Sequence, residues 1–439
     1  MIFLYSPIPP ANTGTAVYMR SLLRHLEAAF GAEVFNHFVL AIDTCCEEDQ
    51  ISTAQEFGWQ ARDFRSILRS GDDICVYFLA SNAYHHYCHA MLATHQQGRC
   101  ISIIHDLTAG PCLHGIQGFA GSPHAGLMDV AFSECGSRAR AITRDFEHVH
   151  NLTKSFICAQ GITLARSDVI ITHSYYAKAK LILDYGLSEE AERMIAVCAH
   201  PEPDLPSNAA GAVAPPISTT APRFTVGSLG YYSPMKRFES IVQAWALFLE
   251  RKPQARHSRL LLGGDISLES RARLVGFCPS PLQQTIEFTA FLSEQNFVEC
   301  LQGLDLLVAL RFPTCGETSG VIAHAKVSAT PIAVSDFGAF REEPAAFRIS
   351  VTPAEEIAQL AEAFDKAFDA WQSQRRLANC KPETSHGKLN LAETLGQITG
   401  LVSLAKRTVA PFSRTVVSYS AMRTGGDFAL GRTQTDMRH

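Results

Sequence analysis

No apolar run in this chain approaches the length needed to cross a bilayer, so an integral membrane protein is not expected. No basic stretch precedes Ile2-Phe3-Leu4-Tyr5, and that run ends at Ser6-Pro7, too short for the core of a secretory leader. The 13 cysteines include no CxxC, and the only adjacent pair is Cys45-Cys46. A chain this long without a leader does not need a disulfide framework. The thiols are read as reduced, mostly buried small apolar groups, and the expected compartment is the cytoplasm. Strong positive charge is also missing. Lys and Arg number 38 against 43 Asp and Glu, a formal net charge of -5. Nucleic acid is therefore not an expected partner. Finally, no G-x-G-x-x-G occurs, which weighs against a dehydrogenase.

What is present is a folded composition, 46% hydrophobic and 18% charged, over 439 residues. That length exceeds one compact core and implies two domains. Short apolar runs alternate with stretches of helical period. Strands are expected at Ile2–Tyr5, Phe38–Ile42, Ile74–Leu79, 100–104 and Val169–Thr172, with helices at 15–30 and through Leu92. Six prolines between Pro201 and Pro222 then mark a linker, 201–222. The alternation restarts with strands at 224–229, 260–262, Ile286–Phe288, 306–310 and 332–334, and helices at 238–249, 321–327 and 354–375. This rhythm predicts an α/β fold with two parallel sheets covered on both faces. The domains are read as 1–200 and 223–400. A tail, 401–439, loses the pattern and is expected to be partly disordered or loosely packed.

Ligands of such sheets bind beyond the carboxyl ends of the strands, often at helix N-termini. The first such loop runs from Ser6 to Thr15, with Gly14 at the helix start. The second ends at His105-Asp106, where a histidine either faces a ligand or merely closes a turn. The third carries Lys236-Arg237. Two cations oppose a helix dipole at that end unless an anion lies between. The fourth is the richest: Arg311-Phe312-Pro313-Thr314-Cys315-Gly316-Glu317-Thr318-Ser319-Gly320. Small residues and hydroxyls there leave amides open to an anion, and Glu317 offers two acceptor oxygens to sugar hydroxyls. A plain acidic cap would need less. His85 and His89 share a helix face, but no further ligand completes a metal site, and none is expected.

Taken in order, these segments resemble retaining glycosyltransferases of the two-Rossmann-domain class, GT-B, family 4-like. The likeness runs through Ser6–Gly14, Ser81-Asn82 with His85, Ile104-His105-Asp106, Ser167-Asp168 and His173-Ser174. It continues through Lys236-Arg237, Leu262-Gly263-Gly264, Asp305, Leu310–Gly320 and Pro331 to Glu342. The resemblance implies an acceptor-binding first domain, a donor-binding second domain and a cleft between them. It implies a UDP- or GDP-linked sugar as co-substrate, no separate cofactor, and a glycan, lipid-linked or small-molecule acceptor. Polysaccharide or glycan assembly is the usual setting. Carried over, His105, Lys236 and Glu317 are the catalytic candidates. Gly14, Arg237, Gly263, Arg311, Gly316, Thr318, Ser319 and Gly320 would bind the donor.

Two departures stand out. Family members carry a second Glu eight residues after the first, where this chain has Ala325. Aligning instead on Thr330-Pro331 brings His324 to that position. An Arg common after the first strand of the donor domain is replaced by Gly227-Ser228-Leu229-Gly230. These losses keep a catalytically weak, nucleotide-sugar-binding scaffold or partner-binding protein as the alternative, with an epimerase or phosphorylase on the same architecture behind it. Lys406, Arg407, Arg414 and Arg423 in the tail leave peripheral contact with the cytoplasmic membrane face open.

Overall fold

A computed structural model describes residues 1–45, 49–108, 158–203, 223–290, 292–375, 377–381 and 387–401. Most of the expected linker, residues 109–157 and the tail with its four basic residues lie outside these.

The first sheet contains β1 (Ile2–Tyr5), β2 (Phe38–Ile42), β3 (Ala61–Asp63), β4 (Ile74–Leu79), β5 (Arg99–Ile104), β6 (Val169–Thr172) and β7 (Ile195–Val197). Their order is β3-β2-β1-β4-β5-β6-β7, with every pairing parallel. The second contains β8 (Thr225–Ser228), β9 (Arg259–Leu262), β10 (Ile286–Phe288), β11 (Leu306–Ala309), β12 (Ile332–Ser335) and β13 (Phe347–Ile349). Its order is β10-β9-β8-β11-β12-β13, again parallel throughout. Parallel strands must be covered on both faces, which is why β1, β2, β8 and β12 are buried along their whole lengths.

Each sheet reverses its winding once, between β1 and β4 in the first and between β8 and β11 in the second. Helices must leave a crevice at that point, because the connections on its two sides run to opposite faces. The loops after these four strands are therefore the positions the fold makes available for a ligand.

The second core centres on the helix Phe238–Arg251 packed against the helix Pro353–Gln372, with the Phe248 ring in contact with those of Trp245, Phe364 and Phe368. The buried indole N–H of Trp245 donates to Thr285 Oγ1 at 2.8 Å, so a polar atom in an apolar core is satisfied.

The chain end corrects the expected boundary at residue 400. The helix Leu391–Ile398 returns to the first domain and buries Leu391, Ala392 and Leu395 against Leu22, Leu23 and Leu26 of the helix Gly14–Phe30. Leu389 extends the first sheet beside β7: its N–H donates to Val197 O at 3.0 Å, and Ala199 N–H donates to Leu389 O at 2.8 Å. Gly396 lets the helices touch, since a Cβ there would sit 2.2 Å from the Phe30 ring. Among the described residues no helix is long and apolar enough to cross a membrane.

The two domains are stitched together at several points. Leu107 N–H donates to Cys315 O at 2.8 Å. Glu342 accepts from the amides of Tyr175 and Tyr176, at 3.0 and 2.7 Å, at the start of the helix Tyr175–Tyr185. A carboxylate is favoured there because four amides of a first turn lack partners in their own helix. Tyr231 donates to Asn12 Oδ1 at 3.0 Å, and Arg20 pairs with Glu294.

Candidate active site

A cavity of about 1080 Å³ opens between the domains. Its wall contains Pro9 to Gly14 after β1, Ser81 after β4, Leu229 to Lys236 after β8, and Leu310 with Arg311 after β11. All four loops that the winding reversals make available thus converge on one space.

Gly14 begins the helix Gly14–Phe30. The cap residue Thr13 satisfies no helix amide with its side chain, and nothing lies within 4 Å of where a Gly14 Cβ would stand. The N-terminus of this helix is open to the cavity.

Across the cavity, the loop before the helix Gly320–Val327 is held by its own side chains. Thr314 Oγ1 donates to Glu317 Oε2 at 2.9 Å, Cys315 N–H donates to the same oxygen at 2.7 Å, and Gly316 N–H donates to Thr314 Oγ1 at 3.0 Å. The other carboxylate oxygen of Glu317 pairs with Arg311 Nε at 2.8 Å. Ser319 caps the helix through its hydroxyl, which accepts from Ile322 N–H at 3.4 Å. Cys315, Glu317, Thr318, Ser319, Gly320 and Arg311 all line the cavity. Glu317 is thereby oriented before any ligand arrives, with lone pairs to spare on both oxygens.

Lys236 ends a short turn, Pro234–Lys236, that Ser233 caps. Its ammonium donates to Leu229 O at 3.1 Å. Gly230 leaves room for it, because a Cβ there would come within 2.6 Å of Nζ. Burial, and then repulsion from Arg311, pull its pKa down to about 7, while Glu317 opposes the shift. Such a lysine gains by meeting an anion, since the anion restores the charged form. Gly263 also lines the cavity. Its missing side chain serves packing as well: a Cβ would meet Leu229 Cδ2 at 2.5 Å and Thr289 Oγ1 at 2.9 Å.

Three predicted residues stand off the cavity wall. Arg237 follows Lys236 with φ +60, and this left-handed turn sends the two side chains apart. Its guanidinium binds Glu356, which is 1% exposed, through Nε at 3.0 Å and Nη2 at 3.0 Å. Removing one partner of a buried pair strands the other charge. Arg237→Ala is therefore expected to cost about 3 kcal/mol of stability and to leave nucleotide affinity unchanged. Melting curves and titrations of that variant check both halves. Gly316, at φ +78, meets the first domain: a Cβ there would lie 2.4 Å from Leu107 Cδ1. Its glycine permits domain contact.

His105 sits behind the wall. Its ring packs edge-on against Tyr18 at 4.4 Å and lies 5.6 Å from His173, and its Nε2 meets no partner. Burial, and then the neighbouring histidines, hold it well below the ordinary histidine pKa, so the ring is neutral. The next residue, Asp106, is on the wall. Its carboxylate accepts from Ser81 N–H at 2.7 Å. Burial and the nearby Glu317 raise its pKa to about 6. His200 and Phe297 also line the cavity without having been picked out from the sequence, as does His324, which the alignment on Thr330-Pro331 had brought to the second-Glu position. For Asp106 a signal existed, its place beside His105 after β5. For His324 the signal was its place one turn into the helix after Gly320; for His200 and Phe297 no local signal could have served, because tertiary packing alone brings them there.

His85 and His89, considered for a metal, turn to separate partners. His85 Nδ1 lies 2.9 Å from Asn82 Oδ1, and His89 Nε2 lies 3.3 Å from Ala80 O.

No protein-family model matches the chain, and no curated protein matches it. Solved structures do. HepE of Anabaena, solved with UDP and glucose, superposes with a TM-score of 0.57 at 12% identity, covering 92% of this chain and 100% of that one. Sucrose-phosphate synthase of Thermosynechococcus elongatus gives 0.53 at 15%, covering 92% and 100%. A putative UDP-N-acetylglucosamine 2-epimerase of Listeria monocytogenes gives 0.53 at 13%, covering 94% and 98%. At such identities the likeness establishes architecture. The chain has the GT-B fold, two Rossmann-like domains facing each other across a ligand-sized cleft.

Proposed function

We propose that this protein is a retaining glycosyltransferase, moving a sugar from a nucleoside diphosphate sugar to an acceptor hydroxyl. One observation carries the reading. Two helix N-termini, at Gly14 and Gly320, and the enclosed ammonium of Lys236 converge on a single interdomain cavity. Unpaired amides and a cation are the groups that hold a diphosphate. The UDP in the HepE structure supports a UDP-linked donor in the first instance, with GDP-linked sugars as the second choice.

In this reading the bond from the anomeric carbon to the diphosphate breaks, and charge builds on the departing oxygen. Lys236 and the Gly320 helix terminus stabilise that charge, aided by Arg311. Glu317, already oriented by Arg311 and Thr314, holds hydroxyls of the transferred sugar. The acceptor oxygen bonds to the same face of that carbon, and its proton passes to the leaving phosphate oxygen. No hydrolase-type nucleophile is required. Asp106 orients the acceptor from the first-domain wall. His105 acts through Tyr18 and Asp106, as a positioning residue behind them. Glycan assembly in the cytoplasm, with or without contact at the membrane face, is the setting that follows from such a donor.

The test is product analysis. Incubation with UDP- or GDP-sugars and hydroxyl acceptors is expected to yield free nucleoside diphosphate and a glycoside of unchanged anomeric configuration by NMR. Glu317→Ala is expected to abolish that product. The epimerase-like structure above favours a second reading, in which the nucleotide sugar is returned intact but altered at one carbon. A changed nucleotide sugar without release of diphosphate would replace the transferase reading. No turnover, with nucleotide still raising the melting temperature, would leave a binding scaffold.

A further inference from the structure

Gln160 lies at the start of the helix Gly161–Arg166 in the first domain, fully buried and behind the cavity wall. Its side chain is committed at both ends. Nε2 donates to the carbonyls of Asp106 and Leu107, at 3.1 and 2.9 Å, and Oε1 accepts from Thr163 Oγ1 at 2.8 Å. A carbonyl only accepts, so the amide has one orientation. Its backbone is fixed too, because the N–H of Gln160 donates to Tyr185 Oη at 2.7 Å. Both side-chain protons thus go to the turn that carries Asp106 onto the cavity wall.

From that turn a series of hydrogen bonds, all pointing the same way, runs to Glu317. The peptide that offers Asp106 O to Gln160 also carries Leu107 N–H, which donates across the domain interface to Cys315 O at 2.8 Å. The peptide that begins with Cys315 O carries Gly316 N–H, which donates to Thr314 Oγ1 at 3.0 Å. Thr314 Oγ1 in turn donates to Glu317 Oε2 at 2.9 Å. Accepting a bond at one end of a peptide makes the other end a better donor, so links in one direction strengthen one another. The Leu107–Cys315 bond is the link that needs both domains in contact. Gly316 permits it, because a Cβ there would strike Leu107.

We propose that Gln160 is a positioning residue for Glu317, reaching it from the other domain through two peptides and the Thr314 hydroxyl. The proposal rests on the transferase reading above, in which Glu317 holds hydroxyls of the transferred sugar. The same two protons of Gln160 fix the turn of Asp106, so one buried side chain sets the first-domain wall and the Glu317 carboxylate against each other.

The experiment measures release of nucleoside diphosphate from UDP-glucose and GDP-mannose by the full chain, in the product assay above, with UDP affinity followed by calorimetry. It compares the wild type, Gln160→Met, Thr314→Val and the two substitutions combined. Gln160→Met fills the space but donates nothing, and is expected to lower turnover about ten-fold, the worth of one hydrogen bond. UDP affinity is expected to stay within about two-fold, because the diphosphate meets Lys236 and the helix N-termini instead. In Thr314→Val the series is already cut, so adding Gln160→Met should change turnover by less than about two-fold. Gln160→Glu donates only while protonated, and should regain turnover relative to the wild type as the pH falls from about 8 to about 6. That variant keeps the test decisive if Gln160→Met does not fold. A glutamine that only braces the first domain would lower turnover and UDP affinity together, equally with Thr314 or Val at 314, and without recovery at low pH. That pattern overturns the proposal, as does undiminished turnover in Gln160→Met. No release by the wild type would remove the transferase reading and this proposal with it; release indifferent to Gln160 removes the proposal alone.

Discussion

Lys236→Ala is expected to lower turnover by roughly ten- to a thousand-fold, the range seen when a group stabilising a developing oxyanion is removed. The residue is placed for this task by two neighbours. Gly230 leaves the space its ammonium occupies, and Leu229 O holds it at 3.1 Å. The same enclosure produces a pH signature. Burial brings the free-enzyme pKa to about 7, so above that pH an increasing fraction of Lys236 is neutral. A diphosphate favours the charged form and must draw a proton into the site when it binds. UDP affinity is then expected to fall as pH rises above 7, by up to about ten-fold per unit. Binding heats in buffers of different ionisation enthalpy should show proton uptake at pH 8. In Lys236→Ala both the uptake and that slope should vanish. Turnover unchanged by the substitution would take Lys236 out of the mechanism. A pH-independent affinity would show that the ammonium does not meet the diphosphate.

The contrast between Lys236 and Arg237 shows how far the sequence could be read. Side by side they look like one basic pair. The left-handed turn at Arg237 splits them, sending one to the cavity and the other to buried Glu356. Nothing in the local sequence declares that turn, because an ordinary side chain at positive φ is disfavoured and a partner 119 residues away holds it. Gly316 was ambiguous for a related reason. Glycine marks a close approach without saying whether a ligand or a neighbouring Leu107 makes it.

The continuous apolar strands were legible, since burial on both faces leaves an unbroken run. The three-residue edge strands β3 and β13 were not, because they are half-exposed and carry Arg62 and Asp63 in one and Arg348 in the other. β7, also three residues, is too short to show a period and pairs with β6 alone among the named strands. The loop from Arg311 to Gly320 was legible as a unit. Its chemistry is local, each side chain bonding within a few residues of its own position.

The first domain is expected to lose its fold on mild acidification while the second keeps its own. His85 and His173 are buried, and burial holds each at a pKa of about 3; burial holds His89 at about 4. These histidines are neutral in the folded chain and titrate near 6.5 once unfolded. Between pH 6.5 and the lowered values the unfolded state binds more protons, so stability falls as pH falls and is unaffected above 6.5. Each histidine contributes about 1.4 kcal/mol per pH unit. At pH 4.5 the three together forfeit on the order of 8 kcal/mol. Asp106 works the other way: its pKa of about 6 lets the folded chain hold a proton that the unfolded chain releases. That offsets only about 2 kcal/mol over the same interval. The remainder is comparable to the whole stability of an ordinary domain, about 5–15 kcal/mol. In the second domain the lowered pKa of His324 is opposed by Asp305, which burial raises to about 6, so no such imbalance arises. Hydrogen exchange at pH 4.5 should therefore strip protection from β1, β4 and β5 while β8, β11 and β12 retain theirs. His85→Phe removes one titrating group and should move the transition to lower pH. Equal loss of protection in both sheets, or a first domain intact below pH 4, would show that these histidines are not held neutral by the fold.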